Sequence, residues 1–182
     1  MEKRITAYHE AGHVIACDEF NIACGVVTIT PNEERETAGH CMHAEDAPYE
    51  CFKKGKLTTD EIKAIATWNE QHAIVGYAGH AALVALLNIG GMSDISAAEN
   101  GAGQDFEKAN ERLGLDPERM GRAKAEALRI VTARRDDVEK VADALLKLGR
   151  LNDAQVDWVL IRGLPLPDHL APRAGRGGAP IG

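Results

Sequence analysis

Aromatic side chains are scarce in this chain of 182 residues, where Phe, Trp and Tyr together make up only 4%. A core with so few rings depends on Ala, Leu, Ile and Val, which favours closely packed helices. No apolar run follows the first charged residues, so no secretion signal is predicted. The four cysteines, Cys17, Cys24, Cys41 and Cys51, have no C-x-x-C spacing. We therefore expect free thiols in a reducing cytoplasm.

An excess of positive charge is lacking as well, since 21 Lys and Arg residues face 28 Asp and Glu residues. The formal net charge is −7, which argues against a nucleic-acid partner because phosphate binding requires a basic surface. The segment from His72 to Ser93 has no charged side chain, yet its longest apolar run, Ala81 to Leu87, is too short to cross a membrane. We predict a buried helix and no integral membrane segment. His72 and His80 are interpreted as core histidines with hydrogen-bonded rings.

The distinctive motif of the chain is His9-Glu10-Ala11-Gly12-His13, which has the pattern His-Glu-x-x-His. Residues four apart lie on one face of a helix, so His9 and His13 can offer two imidazole nitrogens to one metal ion. Glu10 then projects beside the metal, where a general base takes a proton from water. Apolar flanks at helical spacing favour a packed helix over a surface helix with two solvated histidines. We predict a zinc site with His9 and His13 as ligands and Glu10 as the base.

Patterns along the chain predict a mainly α fold with a small β-hairpin. One domain is expected over residues 1–162, followed by a disordered tail rich in Gly and Pro at 163–182. A first helix from Glu2 to Asp18 carries the histidines. Runs of strand-forming residues on either side of a turn predict the hairpin at residues 26–30 and 38–43. A lone hairpin is only marginally stable, so it must pack on the helices.

Capping signals divide the rest of the chain into helices. Thr58 and Glu61 form a capping box before a long helix that is expected to end near Asn88. Within it, Gly76 and Gly79 allow either close contact with another helix or a bend. The segment after it, residues 89–104, is predicted to be a loop. Further helices are predicted over residues 105–114, 117–134, 136–149 and 153–160.

The third ligand of the zinc site is left open by the residues themselves. Catalytic zinc usually has three protein ligands, and the metzincin extension after His13 is excluded because Val14-Ile15-Ala16-Cys17-Asp18 follows. Asp105 lies after a flexible Gly loop at a helix start, where free backbone N–H groups stabilise a carboxylate. The same place suits a simple N-cap, and the two roles are equally open. The other candidates are Cys17, His40, His43 and Glu99.

Several blocks of the sequence resemble the FtsH-type membrane ATP-dependent zinc metalloproteases. The first, Ala7–His13, reads AYHEAGH and closely resembles the motif of that family. Later blocks follow in the family's order: Val27–Pro31, Leu57–Ile62, Gly79–Ala82, Gly101–Phe106, Ala133–Leu146 and Leu151–Val156. The resemblance covers residues 2 to about 160. It implies a zincin-like helical peptidase domain without the ATPase and transmembrane parts of the family.

The resemblance also implies roles for individual residues. Asp105 matches the Asp of the family's GASND block, which is the third zinc ligand there. An extended peptide is expected to lie along an edge strand near the metal. The residues of that strand are Gly39, His40, Cys41, Met42 and His43. For His40 and His43, a pair of solvated loop histidines is the alternative that the residues themselves favour. Leu83 and Val84 replace two carboxylates of the family's GRAAEE segment, so any role of those carboxylates around the metal is lost or taken by another residue.

We therefore expect a zinc-dependent metalloendopeptidase that hydrolyses peptides or unfolded proteins, with Glu10 as the general base. No ATPase region accompanies the motif, so the expected activity is ATP-independent. Two alternatives stay open. One is a non-catalytic zinc-binding or interaction module derived from such a protease, and the other is a peptidase subunit that needs a separate ATPase. A second copy of the chain is a further candidate partner.

Overall fold

The computed structural model describes residues 2–31, 39–43 and 57–171, without the side chains of Met42 and His43. This part of the chain is mainly helical with a small antiparallel sheet, as predicted. Its elements are α1 (Glu2–Glu19), β1 (Cys24–Thr28), β2 (His40–His43), α2 (Thr59–Leu87), α3 (Asp94–Glu99), α4 (Gly103–Arg112), α5 (Pro117–Ala133), α6 (Arg135–Leu148), β3 (Arg150–Asn152) and α7 (Asp153–Arg162).

The sheet has the strand order β2-β1-β3, with both pairs antiparallel. The predicted hairpin is confirmed, because β1 pairs with β2 through Val27 and Cys41. The third strand was not predicted. It has only three residues, and Leu151 at its centre pairs with Val27 on the other side of β1. Strand β1 therefore lies between the hairpin partner and a strand from the far end of the chain.

The centre of the molecule is the contact between α1 and α2. Helix α1 is buried continuously from Glu10 to Cys17, and α2 is buried from His72 to Leu83 except at Gly76. The prediction that the charge-free segment forms a buried helix is confirmed, and no helix among the described residues is long and apolar enough to span a membrane. Gly12 permits the close approach, since a Cβ atom there would clash with the Ala78 carbonyl oxygen.

Helix caps follow the predicted signals closely. Thr58 and Glu61 exchange both hydrogen bonds of the capping box. The Asp116 side chain accepts from two N–H groups at the start of α5, and Gly149 ends α6 in the left-handed conformation with φ of 76°. Helix α6 begins at Arg135, slightly before the predicted Asp136 or Asp137. Each of these caps depends on a side chain or glycine close in sequence, which explains why pattern alone located them.

One prediction about a loop was wrong. The segment 89–104 was predicted to be a loop, but it contains α3, whose N-cap Ser93 accepts from the Ser96 N–H. Beyond α7 the described chain continues from Gly163 to Ala171, where Gln155 Nε2 donates to the Leu170 carbonyl at 2.6 Å, and the disordered tail at 163–182 stays a prediction. The rest of the predicted tail, 172–182, lies outside the described residues.

The two histidines of α2 are core residues, as predicted. His80 is fully buried, and its Nε2–H donates to the Gly91 carbonyl oxygen at 2.9 Å. His72 donates from Nδ1 to the Trp68 carbonyl oxygen at 2.9 Å and stacks on that indole. The prediction of free thiols is confirmed for Cys17, Cys24 and Cys41. Cys51 lies outside the described residues.

The close α1–α2 contact predicts that one added methyl group at Gly12 destabilises the fold. Gly12→Ala is expected to lower the free energy of unfolding by about 1–3 kcal/mol, because the added carbon overpacks a backbone contact. Gly121→Ala is the matched control, since a Cβ there has nothing within 4 Å. Helix propensity should leave it unchanged or raise stability by up to about 1 kcal/mol. Urea unfolding followed by circular dichroism, with a chelator present, measures both. Equal stability of the two variants would contradict the contact.

Candidate metal centre

Helix α1 places three chemically active side chains at the centre of the molecule. His9 and His13 lie one turn apart, with ring centroids 4.7 Å apart and nearly perpendicular planes. Their Nε2 atoms are 3.0 Å apart. Two ring nitrogens at this distance can both bind a single ion placed between them, so the two histidines converge on one ligand position.

Asp105 reaches the same point from α4. Its Oδ2 atom is 3.1 Å from His9 Nε2 and 3.5 Å from His13 Nε2. The residue lies in the first turn of α4, where the helix dipole favours a negative charge. The N-cap is Ala102, so the simple N-cap role considered for Asp105 is wrong. Gly76 lets α4 approach, because a Cβ there would be 3.1 Å from the Asp105 carbonyl oxygen.

The three ligand atoms form a triangle suited to a small metal ion. Its sides are 3.0, 3.1 and 3.5 Å, whereas a tetrahedral zinc with ligands at about 2.0–2.1 Å requires sides of about 3.3 Å. Within the described part of the chain, His9, His13 and Asp105 are the His, Cys, Asp or Glu residues that could together hold a metal ion. The alternative ligands Cys17, Glu99 and His40 are not in this group, and the His43 side chain is not described.

The orientation of the His13 ring suits metal binding through Nε2. Its Nδ1 lies 2.8 Å from the Val75 carbonyl oxygen, and a carbonyl only accepts, so Nδ1 carries the hydrogen. In neutral His13 the lone pair is therefore on Nε2, which faces the other two ligand atoms. Metal-binding histidines are typically held in one tautomer by such a bond. Sequence reasoning missed Val75, because a backbone carbonyl leaves no signal in residue type.

Gly79 of α2 provides the space that the two rings occupy. A Cβ atom there would be 2.5 Å from His13 Nε2 and 2.8 Å from His9 Cε1. The sequence predicted close helix contact at this glycine, and the neighbour turns out to be the pair of histidine rings. A larger residue would fill the ligand position itself.

Burial and charge act against each other in the centre. Burial alone would raise the pKa of Asp105, but hydrogen bonds with His13 and His9 and their positive charges hold it well below its usual value. Burial also opposes a charge on His13, yet the hydrogen bond to Asp105 and the negative charges of Asp105 and Glu10 raise the pKa of His13 to about 10. Without metal, the centre therefore retains a proton that a cation must displace.

Glu10 lies beside the triangle and outside it. The residue is only 4% exposed, and burial raises its pKa, while the positive charges of His9 and His13 lower it. Its Oε2 has no hydrogen-bond partner among the described residues. Its Oε1 lies 3.0 Å from where a Cβ of Gly39 would be. One carboxylate oxygen is thus packed against the start of β2, and the other meets no hydrogen-bonding group of residues 2–31, 39–43 or 57–171.

Solvent reaches the centre mainly on the Asp105 side. The Asp105 side chain is 34% exposed, against 13% for His9 and 9% for His13. A bound ion would therefore be enclosed by α1 and α2 and open past α4.

The predicted substrate strand lies next to Glu10. Gly39 precedes β2, which has β1 on one side and no strand on its other side among the described residues. Of the predicted strand residues, Gly39 contacts the Glu10 region, whereas Cys41 lies against Cys24. The side chains of Met42 and His43 lie outside the description, so their predicted contacts with a peptide stay predictions.

Removing the third ligand atom tests the triangle. Asp105→Ala should weaken Zn²⁺ or Co²⁺ binding by more than about 100-fold, because the site loses one of three donors and its negative charge. Glu99→Ala is the control, since Glu99 was the next acidic candidate and is exposed. Competition with a chromophoric chelator measures affinity, and circular dichroism checks that the helices persist. Unchanged affinity in Asp105→Ala would move the ligand elsewhere.

The proton on His13 predicts how metal affinity depends on pH. Since its pKa is raised to about 10, metal must displace this proton below pH 10, and affinity should rise by about tenfold per pH unit between pH 6.5 and 8.5. In the metal-free protein, the same shift stabilises the fold fully below pH 6.5 and is lost as pH rises through 10. Calorimetry in buffers of different ionisation enthalpy counts the protons released. The same measurement on Glu10→Gln excludes protons released by the Glu10 carboxyl. If this variant released no proton on binding metal, a protonated His13 would be contradicted.

Comparison with known proteins adds no assignment to this geometry. No family model matches the chain, and no curated protein matches it. Conclusions about function therefore depend on the triangle of His9, His13 and Asp105 and on the carboxylate of Glu10 beside it.

Proposed function

We propose that this chain is a zinc-dependent metalloendopeptidase with a zincin-like site. The observation that carries the proposal is the triangle of His9, His13 and Asp105 with a buried carboxylate next to it and not in it. Nitrogen and oxygen donors of this kind, three in number, are typical of catalytic zinc. Fe²⁺ also binds two histidines and one carboxylate, but the adjacent Glu10 favours hydrolysis.

The division of labour between the residues follows from their positions. His9, His13 and Asp105 would hold the ion, with His13 oriented by the Val75 carbonyl. Zinc, when bound, activates water and polarises the carbonyl of the peptide. Glu10 is the base that takes the proton of the attacking water on a carboxylate oxygen and passes it to the departing amine. Its burial supports this role, because a raised pKa brings the carboxyl closer to neutral pH.

The shape of the neighbouring sheet supports a peptide substrate. Strand β2 is an edge strand within the described sheet, and its start at Gly39 adjoins Glu10. An extended peptide that pairs with this edge would bring its backbone towards the base and the ion. A segment must be extended and unpaired to add as a strand, which peptides and unfolded proteins satisfy most readily, so these are the proposed substrates. A separate ATPase or a second copy as partner stays a prediction.

A non-catalytic zinc-binding module is the second candidate. The observation in its favour is the depth of Glu10, which is only 4% exposed, so a substrate must displace part of its surroundings to reach it. Replacement of the family's two carboxylates by Leu83 and Val84 is consistent with this reading. Both candidate functions include a bound zinc ion, and they differ only in whether Glu10 acts as a catalytic base.

Glu10→Gln separates the two candidates. As a peptidase, this variant should bind zinc as tightly as the wild type or tighter, and should lose peptide hydrolysis by about 10²–10⁴-fold, because the amide cannot accept the proton. Glu107→Gln makes the same change at an exposed position of α4 and should retain full activity. Cleavage of a mixed library of unstructured peptides is measured by mass spectrometry, with metal content determined in parallel. A zinc-loaded wild type that cleaves none of them would establish the non-catalytic module.

A further inference from the structure

Three thiols converge where α1 meets the hairpin. They are Cys17 on α1, Cys24 on β1 and Cys41 on β2, and all three are free. The Cys41 thiol is hydrogen-bonded with both Cys17 and Cys24. The Sγ atoms of Cys24 and Cys41 are 3.0 Å apart. Cys17 and Cys24 are buried and Cys41 is half-buried. Hydrogen bonds with Cys17 and Cys24, together with burial, raise the pKa of the Cys41 thiol well above its usual value. Neither the proposed metal centre nor the proposed hydrolysis uses these sulfurs.

An irregularity in β1 brings the pair together. Val27 is opposite Cys41 in the register, so in a regular ladder Cys24, three residues earlier, would project from the other face of the strand. The register shifts between Cys24 and Val26, which places Cys24 opposite His43. One extra residue reverses the alternation. Cys24 therefore projects from the same face as Cys41, and the two sulfurs meet diagonally across the strands.

We infer that Cys24 and Cys41 form a dithiol site, which a low-molecular-weight disulfide such as oxidised glutathione converts reversibly into a disulfide. Bonded sulfurs lie about 2.05 Å apart, so the pair at 3.0 Å needs to close by only about 1 Å. Adjacent strands already hold both residues on one face. A change of this size is within the reach of side-chain torsions and leaves the ladder in place.

Oxidised glutathione takes up the electrons and protons that the two protein thiols lose. One thiol of the Cys24–Cys41 pair loses a proton, and its sulfur attacks one sulfur of oxidised glutathione, which forms a mixed disulfide and releases one glutathione thiolate. The other thiol of the pair then loses its proton, and its sulfur attacks the protein sulfur of the mixed disulfide, which forms the protein disulfide and releases the second glutathione. The protein gives up two electrons and two protons, and two glutathione thiols take them up. An excess of reduced glutathione reverses both steps.

The Cys24–Cys41 disulfide would link β2 covalently to β1 beside the candidate metal centre. Gly39, two residues before Cys41, adjoins the Glu10 carboxylate. A covalent bond at Cys41 therefore fixes the strand that borders the proposed base. The inference does not depend on the proposed peptidase activity, because thiol and linkage measurements require no hydrolysis.

The experiment uses the full chain with Cys51→Ser, so that only the three described thiols remain. The metal-free protein is equilibrated in buffers of rising oxidised-to-reduced glutathione ratio, quenched with acid and alkylated. We expect the loss of two thiols per chain with no glutathione retained. Cleavage after Glu19 separates Cys17 from Cys24, so peptide mass spectrometry should identify a Cys24–Cys41 link. Hydrogen exchange of the β2 amides should slow on oxidation.

Matched variants make the linkage specific. Cys17→Ser should keep the link, whereas Cys24→Ser and Cys41→Ser should each abolish it. A Cys17–Cys41 link in the parent protein, a stable glutathione adduct, or three thiols retained in fully oxidised buffer would each overturn the inference. The linkage map of the parent protein decides the question even where a variant fails to fold.

Discussion

The backbone approach of α1 to α2 is closer than ordinary side chains allow, and the metal centre depends on it. Gly12 lies against the Ala78 carbonyl, and Gly79 leaves the volume in which the imidazoles lie. The Val75 carbonyl, one turn before Gly79, accepts the Nδ1–H of His13. One stretch of α2 therefore packs the motif helix, makes room for its rings and sets a tautomer. Since protein interiors tolerate little change in volume, the packing of these helices also determines where the ligand nitrogens lie.

The third ligand depends on the same helix. Asp105 is carried by α4, and α4 is held on α2 by polar and aromatic contacts. Tyr77 donates to Asn110 Oδ1 at 2.5 Å, and its ring meets Phe106 edge-on with centroids 4.9 Å apart. Phe106 follows Asp105 directly, so its burial limits where the carboxylate can go. The opposite charges of Asp105 and protonated His13 then hold the metal-free site together, so a metal ion would replace a proton in an arrangement that is already formed.

Sequence reasoning succeeded where the signal was local and failed where it came from tertiary contact. The caps at Thr58 and Asp116 are side-chain bonds to neighbouring N–H groups, so residue type predicts them. Helix α3 was missed because its cap, Ser93, lies in a stretch rich in Gly and Ser that resembles a loop. Strand β3 exists only because Leu151 meets Val27. From residues alone, Asp105 was equally suited to an N-cap or a ligand, and only the packing of α4 on α2 brings it to the histidines.

The ligands and the base have different supports. His9, His13 and Asp105 are positioned by α2, whereas Glu10 has Gly39 of the hairpin against its carboxylate. The hairpin in turn is tied to the far end of the chain, since Ile29 N–H donates to the Gly149 carbonyl at 3.0 Å and β3 pairs with β1. A disturbance of the sheet therefore affects the environment of Glu10 before it affects the ligand triangle. The proposed metal binding and the proposed role of Glu10 as a base are thus separable, and a chain could lose the second while keeping the first.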